Sequence, residues 1–388
     1  MLCTDETESE RAETRRLLRE SAAAFAAKES PLGRARALRG AQPDCALAFW
    51  RKLAEQGWIG LLVPEQQGGA GLGFAEMAVV VEQLATRVAP EPLVPTAVFA
   101  ARLLQSCTAS ELAAQLLSTL AGGDLIAAVA WQEANAQADP CSIQVCAVPD
   151  GKGVRISGEK RFIRPGTACE GFVVSALAQG DVGLYWMPCD VAGLVIEAEL
   201  QADGSRAARL RMEDVRLDAG QCLARGATAA DALVRAFDET LVMVSVELLA
   251  LSRAMLSMTL EYLRTRVQFG KAIGSFQALQ HRAVDLYIQQ ELTSALVGQA
   301  VVLLDGDAGA KERGAMASRA KARAADAALA IGREAVQMHG AIGYTDEYDL
   351  GLYLNRALVL SAWLGNGLTH RRRFAANNPL GYGGSALT

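Results

Sequence analysis

Between Gly122-Gly123-Asp124 and about Arg225 the hydrophobic pattern of this 388-residue chain changes period, and that change constrains the fold more than any other feature. On either side, apolar residues recur three and four positions apart over long stretches, as helices buried on one face require. Inside it, short apolar runs at 125–131, 142–148, 154–157, 171–176, 182–187, 194–198 and 208–215 are bounded by Gly, Pro or Asp. Runs of that length and punctuation predict a compact antiparallel barrel or sandwich rather than β-α-β units. The chain therefore reads as α+β. An N-terminal helical domain spans 1–123, a middle β domain 124–227 and a C-terminal four-helix bundle 228–388.

In the first domain the periodicity places helices at 11–27, 46–56, 74–85 and 110–120, the last capped by Ser110 with Glu111 in its first turn. Pro64, the Gly68–Gly73 cluster and Pro90, Pro92 and Pro95 read as turns between them. In the third domain, helices at 229–265, 276–304, 308–339 and 348–376 have lengths that suit a bundle, with Leu304-Asp-Gly-Asp-Ala-Gly as a polar break.

With 51% hydrophobic residues and only 11 prolines, the chain has ample apolar surface for a core and is expected to fold throughout. A formal charge of −5, with Lys and Arg scattered, gives no electrostatic footprint for nucleic acid. Residues 1–20 are polar and acidic, unlike a signal peptide, and no apolar run approaching ~20 residues stands out for a bilayer, so a cytoplasmic chain with no membrane partner is expected. The eight cysteines (Cys3, Cys45, Cys107, Cys141, Cys146, Cys169, Cys189 and Cys222) form no C-x-x-C pair and are expected as buried small hydrophobes. His281, His339 and His370 are too scattered for a metal site, and none is expected.

Two connections carry chemistry. Arg266-Val-Gln-Phe-Gly-Lys-Ala-Ile-Gly-Ser-Phe-Gln-Ala-Leu-Gln-His281 puts a cation, an aromatic ring, glycines and glutamines together, a set suited to a phosphate-bearing aromatic ligand. On composition alone the simpler reading, a capped helix-helix turn with Gly270 and Gly274 ending one helix and Ser275 starting the next, is preferred. Gln337-Met-His-Gly-Ala-Ile-Gly-Tyr-Thr-Asp-Glu347 likewise reads as a close backbone approach to a ligand or as a glycine C-cap.

Taken with Pro64-Glu-Gln-Gln-Gly-Gly-Ala-Gly, Gly158-Glu-Lys-Arg-Phe and Met212-Glu-Asp-Val-Arg, these blocks resemble the acyl-CoA dehydrogenase family in order and spacing over most of the chain. The resemblance implies FAD between the β domain and the bundle, its adenine and pyrophosphate reaching a neighbouring subunit, and therefore an oligomer. It implies that Arg266, Phe269 and Gln277 contact a partner's flavin, with Gln337 and Gly340-Ala341 lining it. Where the family shows Thr-Glu-Pro and then a small-residue loop, this chain has Gln132-Glu133-Ala134 and Asn135–Asp139. Phe162-Ile163-Arg164 stands for the usual Trp-x-Thr, so Gln132 would bond the ring edge and Phe162 stack on the flavin, while Arg164 reads either as a flavin neighbour or as an exposed strand residue.

The family's usual base is a Glu that takes the α proton of the thioester while the β hydride passes to the flavin. Counting from Asn355-Arg356-Ala357, that position is Leu364, in Trp363-Leu-Gly-Asn366. The alternative base position, on the first bundle helix, is Thr240, and the Arg that commonly follows it is Leu241. Glu239, turned by ~100° from Thr240, reads as a solvated glutamate. Glu247, seven residues on and on the same face, is the candidate base, or else a core carboxylate paired with an arginine. Its Val-Glu-Leu setting resembles the small-subunit type of heteromeric enzymes on steroid or dicarboxylic acyl chains.

The resemblance thus implies an FAD-dependent dehydrogenase converting an acyl-CoA thioester to a 2-enoyl-CoA, with an electron-transfer flavoprotein or similar acceptor, as a homo-oligomer or a heterotetramer with a homologous subunit. Two alternatives remain: a non-catalytic partner subunit, and a flavin-dependent oxygenase on the same fold. Thr96, Phe99 and Val244 are the expected determinants of acyl-pocket depth.

Overall fold

The structure, a computed structural model, describes residues 2–135 and 137–378, with side chains from residue 10 onward. Ala136, in the expected small-residue loop, and the Cys3 side chain lie outside the described residues. The contacts divide the chain into two compact units, 1–135 with 140–240 and 136–139 with 241–388. The helical 1–123 and β 124–227 segments fall together in the first unit, and the division passes through one long helix.

The first unit begins with helices α1 (Leu2–Glu29), α2 (Leu32–Leu38), α3 (Leu47–Glu55) and α4 (Phe74–Ala85). Pro90 and Pro92 lie in a non-helical connection as expected, but Pro95 is helical, in a π-helical stretch over Leu93–Ala100 running into α5 (Ala101–Gln105). Pro95 is tolerated because it lies in the first turn, where its missing N–H has no intrahelical acceptor to lose. Helix α6 (Glu111–Ala121) starts as read, with Ser110 Oγ accepting from the Ala113 N–H at 3.4 Å.

The β segment is one eight-stranded sheet of β1 (Ala127–Ala130), β2 (Cys146–Asp150), β3 (Gly153–Ile163), β4 (Gly171–Ala178), β5 (Asp181–Pro188), β6 (Leu194–Leu200), β7 (Arg206–Leu217) and β8 (Cys222–Arg225). The order is β6-β7-β3-β2-β4-β5-β8, with β1 on β4. Antiparallel pairing dominates, but β1 and β2 each pair with β4 in parallel, which corrects the all-antiparallel expectation. Its apolar face gathers Ile156, Phe172, Val174, Tyr185, Leu210 and Val215, all fully buried.

Helix α7 (Gly226–Thr265) spans 40 residues. Its hydroxyls at Thr240, Ser245, Ser252 and Thr259 each donate to the carbonyl four residues back, at 2.6–2.8 Å, so these buried hydroxyls are satisfied within the helix. An 18-residue window of it reaches mean hydropathy 1.7, long and apolar enough to cross a membrane, which corrects the reading that no such run exists. That window is 78% buried in protein, as a core helix is.

A two-stranded hairpin, β9 (Val267–Gln268) and β10 (Lys271–Ala272), precedes α8 (Gln277–Leu304) and α9 (Ala310–His339). The expected final helix is two, α10 (Leu350–Ala362) and α11 (Gly367–Asn377). The break falls at Leu364 and Gly365, with φ of 61° and 103°, after which Asn366 caps α11 by accepting from the Thr369 N–H at 3.0 Å. Leu364 is fully buried, and that burial offsets a left-handed backbone costing about 1–2 kcal/mol.

Cys45 and Cys107 are buried as expected, and burial pushes both thiols up to about 12. Cys146 and Cys189 are exposed, at a strand start and a turn, and Cys141, Cys169 and Cys222 are half-buried, the last two packed against the sheet's apolar core.

Candidate functional site

Two carboxylates on α7 were in question, and both are buried and held by arginines. Glu239, 1% exposed, takes a bidentate fork from Arg102, Nε to Oε2 at 2.8 Å and Nη2 to Oε1 at 3.0 Å. Arg235, one turn back, adds Nε to Oε1 at 3.0 Å. The expected solvated glutamate is therefore a structural anchor, because α5 brings a guanidinium onto that face of the helix. The neighbouring Thr240 is fully buried, its hydroxyl donated to the Ala236 carbonyl.

Glu247 lies in the second unit, 7% exposed, against Arg356 of α10. Arg356 Nε and Nη2 both reach Oε1, each at 2.8 Å. Sequence reasoning foresaw an arginine here but could not say which, since 109 residues separate the pair. Leu364, the other position weighed, carries no carboxylate.

The α10–α11 turn that carries Leu364 is gripped from beneath. Lys321 Nζ, fully buried, donates to the carbonyls of Ser361 at 3.2 Å and Gly365 at 2.9 Å, and His370 Nε2 lies 2.9 Å from the Leu364 carbonyl. Burial pushes the Lys321 ammonium down to about 7. Burial, then the nearby Lys321 charge, pushes His370 down to about 3, so its ring is neutral and Nε2–H donates. Nothing in the alanine-rich sequence around Lys321 marked it.

The Arg266 segment is not a plain capped helix-helix turn. It is the β9–β10 hairpin, its turn made by Phe269 and Gly270 with φ of 53° and 78°, as a two-residue I′ turn requires. Phe269 is 89% exposed, with Arg266 and Gln277 also exposed beside it. A turn that holds a phenylalanine in the left-handed region to present an uncovered ring is built to meet something. Gln337, on the last turn of α9, and Gly340, the C-cap at φ 68°, are exposed as well, followed by an 85% exposed Tyr344. The cation, rings and free backbone present there fit the phosphates and aromatic rings of a dinucleotide.

In the first unit, Phe162 sits at φ 56° in a bulge of β3 between Lys160 and Ile163, half-buried, with the Arg161 guanidinium 5.1 Å from its ring. Gln132 is buried, and its side-chain N–H turns back to the Ala134 carbonyl at 2.9 Å, leaving Oε1 as the group for a ligand edge. The loop is anchored by Lys160, an unforeseen residue of the Gly158-Glu-Lys block. Its buried Nζ donates to Glu133 Oε1 at 2.6 Å, Ser175 Oγ at 3.0 Å and the Trp131 carbonyl at 3.2 Å, while burial pushes it down to about 8. Arg164 is 8% exposed and 4.0 Å from Asp203, which removes the exposed-strand reading. Thr96 and Phe99 are buried, as is Val244, and Thr96 bonds the Ala127 carbonyl at 3.0 Å. Among the described residues no group of three or more His, Cys, Asp and Glu could hold a metal ion.

Comparison with known proteins gives this arrangement a lineage. The acyl-CoA dehydrogenase N-terminal domain matches residues 12–124 and the acyl-CoA dehydrogenase C-terminal domain residues 230–378. The acyl-CoA dehydrogenase IpdE2 of Mycobacterium tuberculosis is 30% identical over 347 residues, 89% of this chain and 91% of that protein. A solved variant of the Tcur3481-Tcur3483 steroid ACAD superposes with a TM-score of 0.86 at 29% identity, over 95% of this chain and 99% of that one. A glutaryl-CoA dehydrogenase from Mycobacterium smegmatis, solved in complex with FADH2, shares the fold at a TM-score of 0.83 and 19% identity, over 97% of this chain and 96% of that one. Both terminal domains, the strand-centred middle between them and a relative matched nearly end to end agree: the chain belongs to the acyl-CoA dehydrogenase family, a family of FAD flavoproteins.

Proposed function

We propose that this chain is one subunit of an FAD-dependent acyl-CoA dehydrogenase that converts a bulky saturated acyl thioester to its 2-enoyl form beside a homologous chain, with an electron-transfer flavoprotein as acceptor. The likeness to a steroid ACAD with two named components supports the substrate class and the pairing. Arg266, Phe269, Gln277, Gln337 and Gly340 would meet the dinucleotide, and Gln132 and Phe162 the flavin ring. FAD, when bound, supplies the hydride acceptor.

The observation that carries the reading is the one-sided hold on Glu247. Both Arg356 contacts fall on Oε1, so Oε2 is the atom that would take the α proton while the arginine fixes the carboxylate. With Leu364 and Thr240 unable to act and Glu239 forked on both oxygens, Glu247 alone among the compared positions combines a carboxylate with an oxygen those contacts leave open.

That same ion pair favours a second reading, in which Glu247 is structural and the chain completes a partner's flavin site without turnover. Anaerobic titration with acyl-CoA thioesters, including steroid and dicarboxylic ones, separates the two. Bleaching of the flavin band by the wild type and its loss of at least about 100-fold in rate in Glu247→Gln is the expected result. Unchanged bleaching in Glu247→Gln would remove it as base, and a wild type that bleaches only with a homologous partner's own carboxylate intact would favour the second reading.

A further inference from the structure

We propose that Tyr262, His339 and Tyr348 form a positioning cluster that locks the Arg266 hairpin and the Gly340–Tyr344 turn into one cradle for the dinucleotide. The inference rests on the FAD reading above and adds residues that touch none of the candidate ligand atoms themselves. The two segments are far apart in sequence, and the structure joins them through one stack of rings. Tyr262, in the last turn of α7, lies face to face with His339, in the last turn of α9, with centroids 4.5 Å apart and planes 27° from parallel. Tyr348 closes the other side at 4.9 Å.

The hydrogen bonds fix the imidazole in one orientation. The Ala335 carbonyl, 2.7 Å from His339 Nδ1, can only accept, so Nδ1 carries the proton. Nε2 then accepts from the Tyr348 hydroxyl at 3.0 Å. This arrangement needs a neutral ring, and burial lowers the His339 pKa from its ordinary value. From each end the cluster passes directly into a candidate segment. The Tyr262 carbonyl accepts from the Arg266 N–H at 2.9 Å, and the Arg266 carbonyl accepts from the Ile273 N–H at 2.9 Å, so the base of the hairpin hangs on the tyrosine's own backbone. On the other side, Gly343 is folded so tightly over the helix end that a Cβ there would meet both the His339 Cβ and the Val336 carbonyl at 3.0 Å. His339 is 4% exposed, while Phe269 and Tyr344 at the outer rims are 89% and 85% exposed. A stack with a buried imidazole between two half-buried tyrosines, carrying two uncovered rims, is how a cradle keeps its span before the ligand arrives.

The test uses the full chain, stripped of flavin and titrated with FAD, following the quench of flavin fluorescence and the visible band of the bound form. Tyr262→Ala and His339→Ala are expected to weaken FAD binding about fivefold to tenfold, the size of one lost aromatic pair. Tyr262→Phe, which keeps the ring, is expected within about twofold of wild type, and Tyr348→Phe, which removes only the hydroxyl, in between. Far-UV circular dichroism of each variant accompanies the titration, and the two Phe variants carry the test should an Ala variant fail to fold. Wild-type affinity in Tyr262→Ala or His339→Ala, or equal losses in Tyr262→Phe and Tyr262→Ala, would overturn the cluster while leaving the flavin reading intact. A wild type that takes up no FAD, alone or with a homologous partner, would overturn both.

Discussion

Removing the guanidinium from the Glu247–Arg356 pair should unfold the second unit far more readily than removing the pair as a whole. The two partners are 7% and 6% exposed, so Arg356→Met strands a buried carboxylate that has lost two contacts of 2.8 Å. Breaking a buried pair from one side costs about 3–5 kcal/mol, because the remaining charge keeps its desolvation penalty without its partner. For a unit of this size, 1 kcal/mol moves the midpoint by about 2–4 °C, so the expected fall in Tm is about 10 °C. The double variant Glu247→Leu/Arg356→Met replaces both charges by apolar groups and should recover at least half of that loss. Thermal unfolding of wild type, both single variants and the double variant closes the cycle, and the coupling energy cancels whatever each residue does separately. A coupling energy under about 1 kcal/mol, or Arg356→Met melting with the wild type, would show that the pair is not desolvated and that the geometric basis for Glu247 is wrong.

The pH dependence of stability carries two signatures of the same sign in separate windows, both from groups beneath the α10–α11 turn. His370, held down to about 3 by burial, stays neutral while the unfolded chain protonates below about 6.5, so stability should fall as pH drops from 6.5 to 3 by about 1.4 kcal/mol per unit. Urea titrations across that window should show the slope, and His370→Gln should flatten it. Lys321, pushed down to about 7 by burial, loses its proton earlier than in the unfolded chain, so its penalty is present in full below 7 and is relieved as pH rises towards 10.5, again by about 1.4 kcal/mol per unit. Lys321→Met should abolish that alkaline gain when compared with wild type in the same titration. Leu364→Ala empties a fully buried site and should cost about 2–5 kcal/mol in chemical denaturation, whereas equal midpoints would mean that the turn closes over the space.

Periodicity located α1, α3, α4 and α6 to α9, which bury one face and write it into the spacing of their apolar residues, and short runs between Gly, Pro and Asp located the first seven strands. It missed what is decided elsewhere. Strand β8 is four residues ending in Arg225, too short and polar to show a period, and it exists through its pairing with β5. The hairpin at Val267–Ala272 was hidden because Phe269 is a poor sequence signal for a left-handed turn, despite the Gly270 beside it. The break at Leu364 was similarly concealed by the apolar run through α10, although Gly365-Asn366-Gly367 carried the stop and the cap.

The candidate site was legible as residue types and not as partnerships. Spacing put Glu247 on the Thr240 face of α7, but a carboxylate's role turns on what meets it, and Arg356 arrives from a helix beginning about a hundred residues later. The same helix ties the two halves of the problem together. Arg356 lies about two turns before Leu364, and α10 runs from the one to the turn that holds the other. Lys321 and His370 fix that turn by its carbonyls, and Arg356 fixes Glu247 from within α10. A shift of α10 along its axis would therefore move the guanidinium against Glu247 and strain the Lys321 grip together. The orientation of the one candidate base is set by a helix whose far end is clamped through its backbone, and a change at Lys321 should register in any reaction that depends on Glu247.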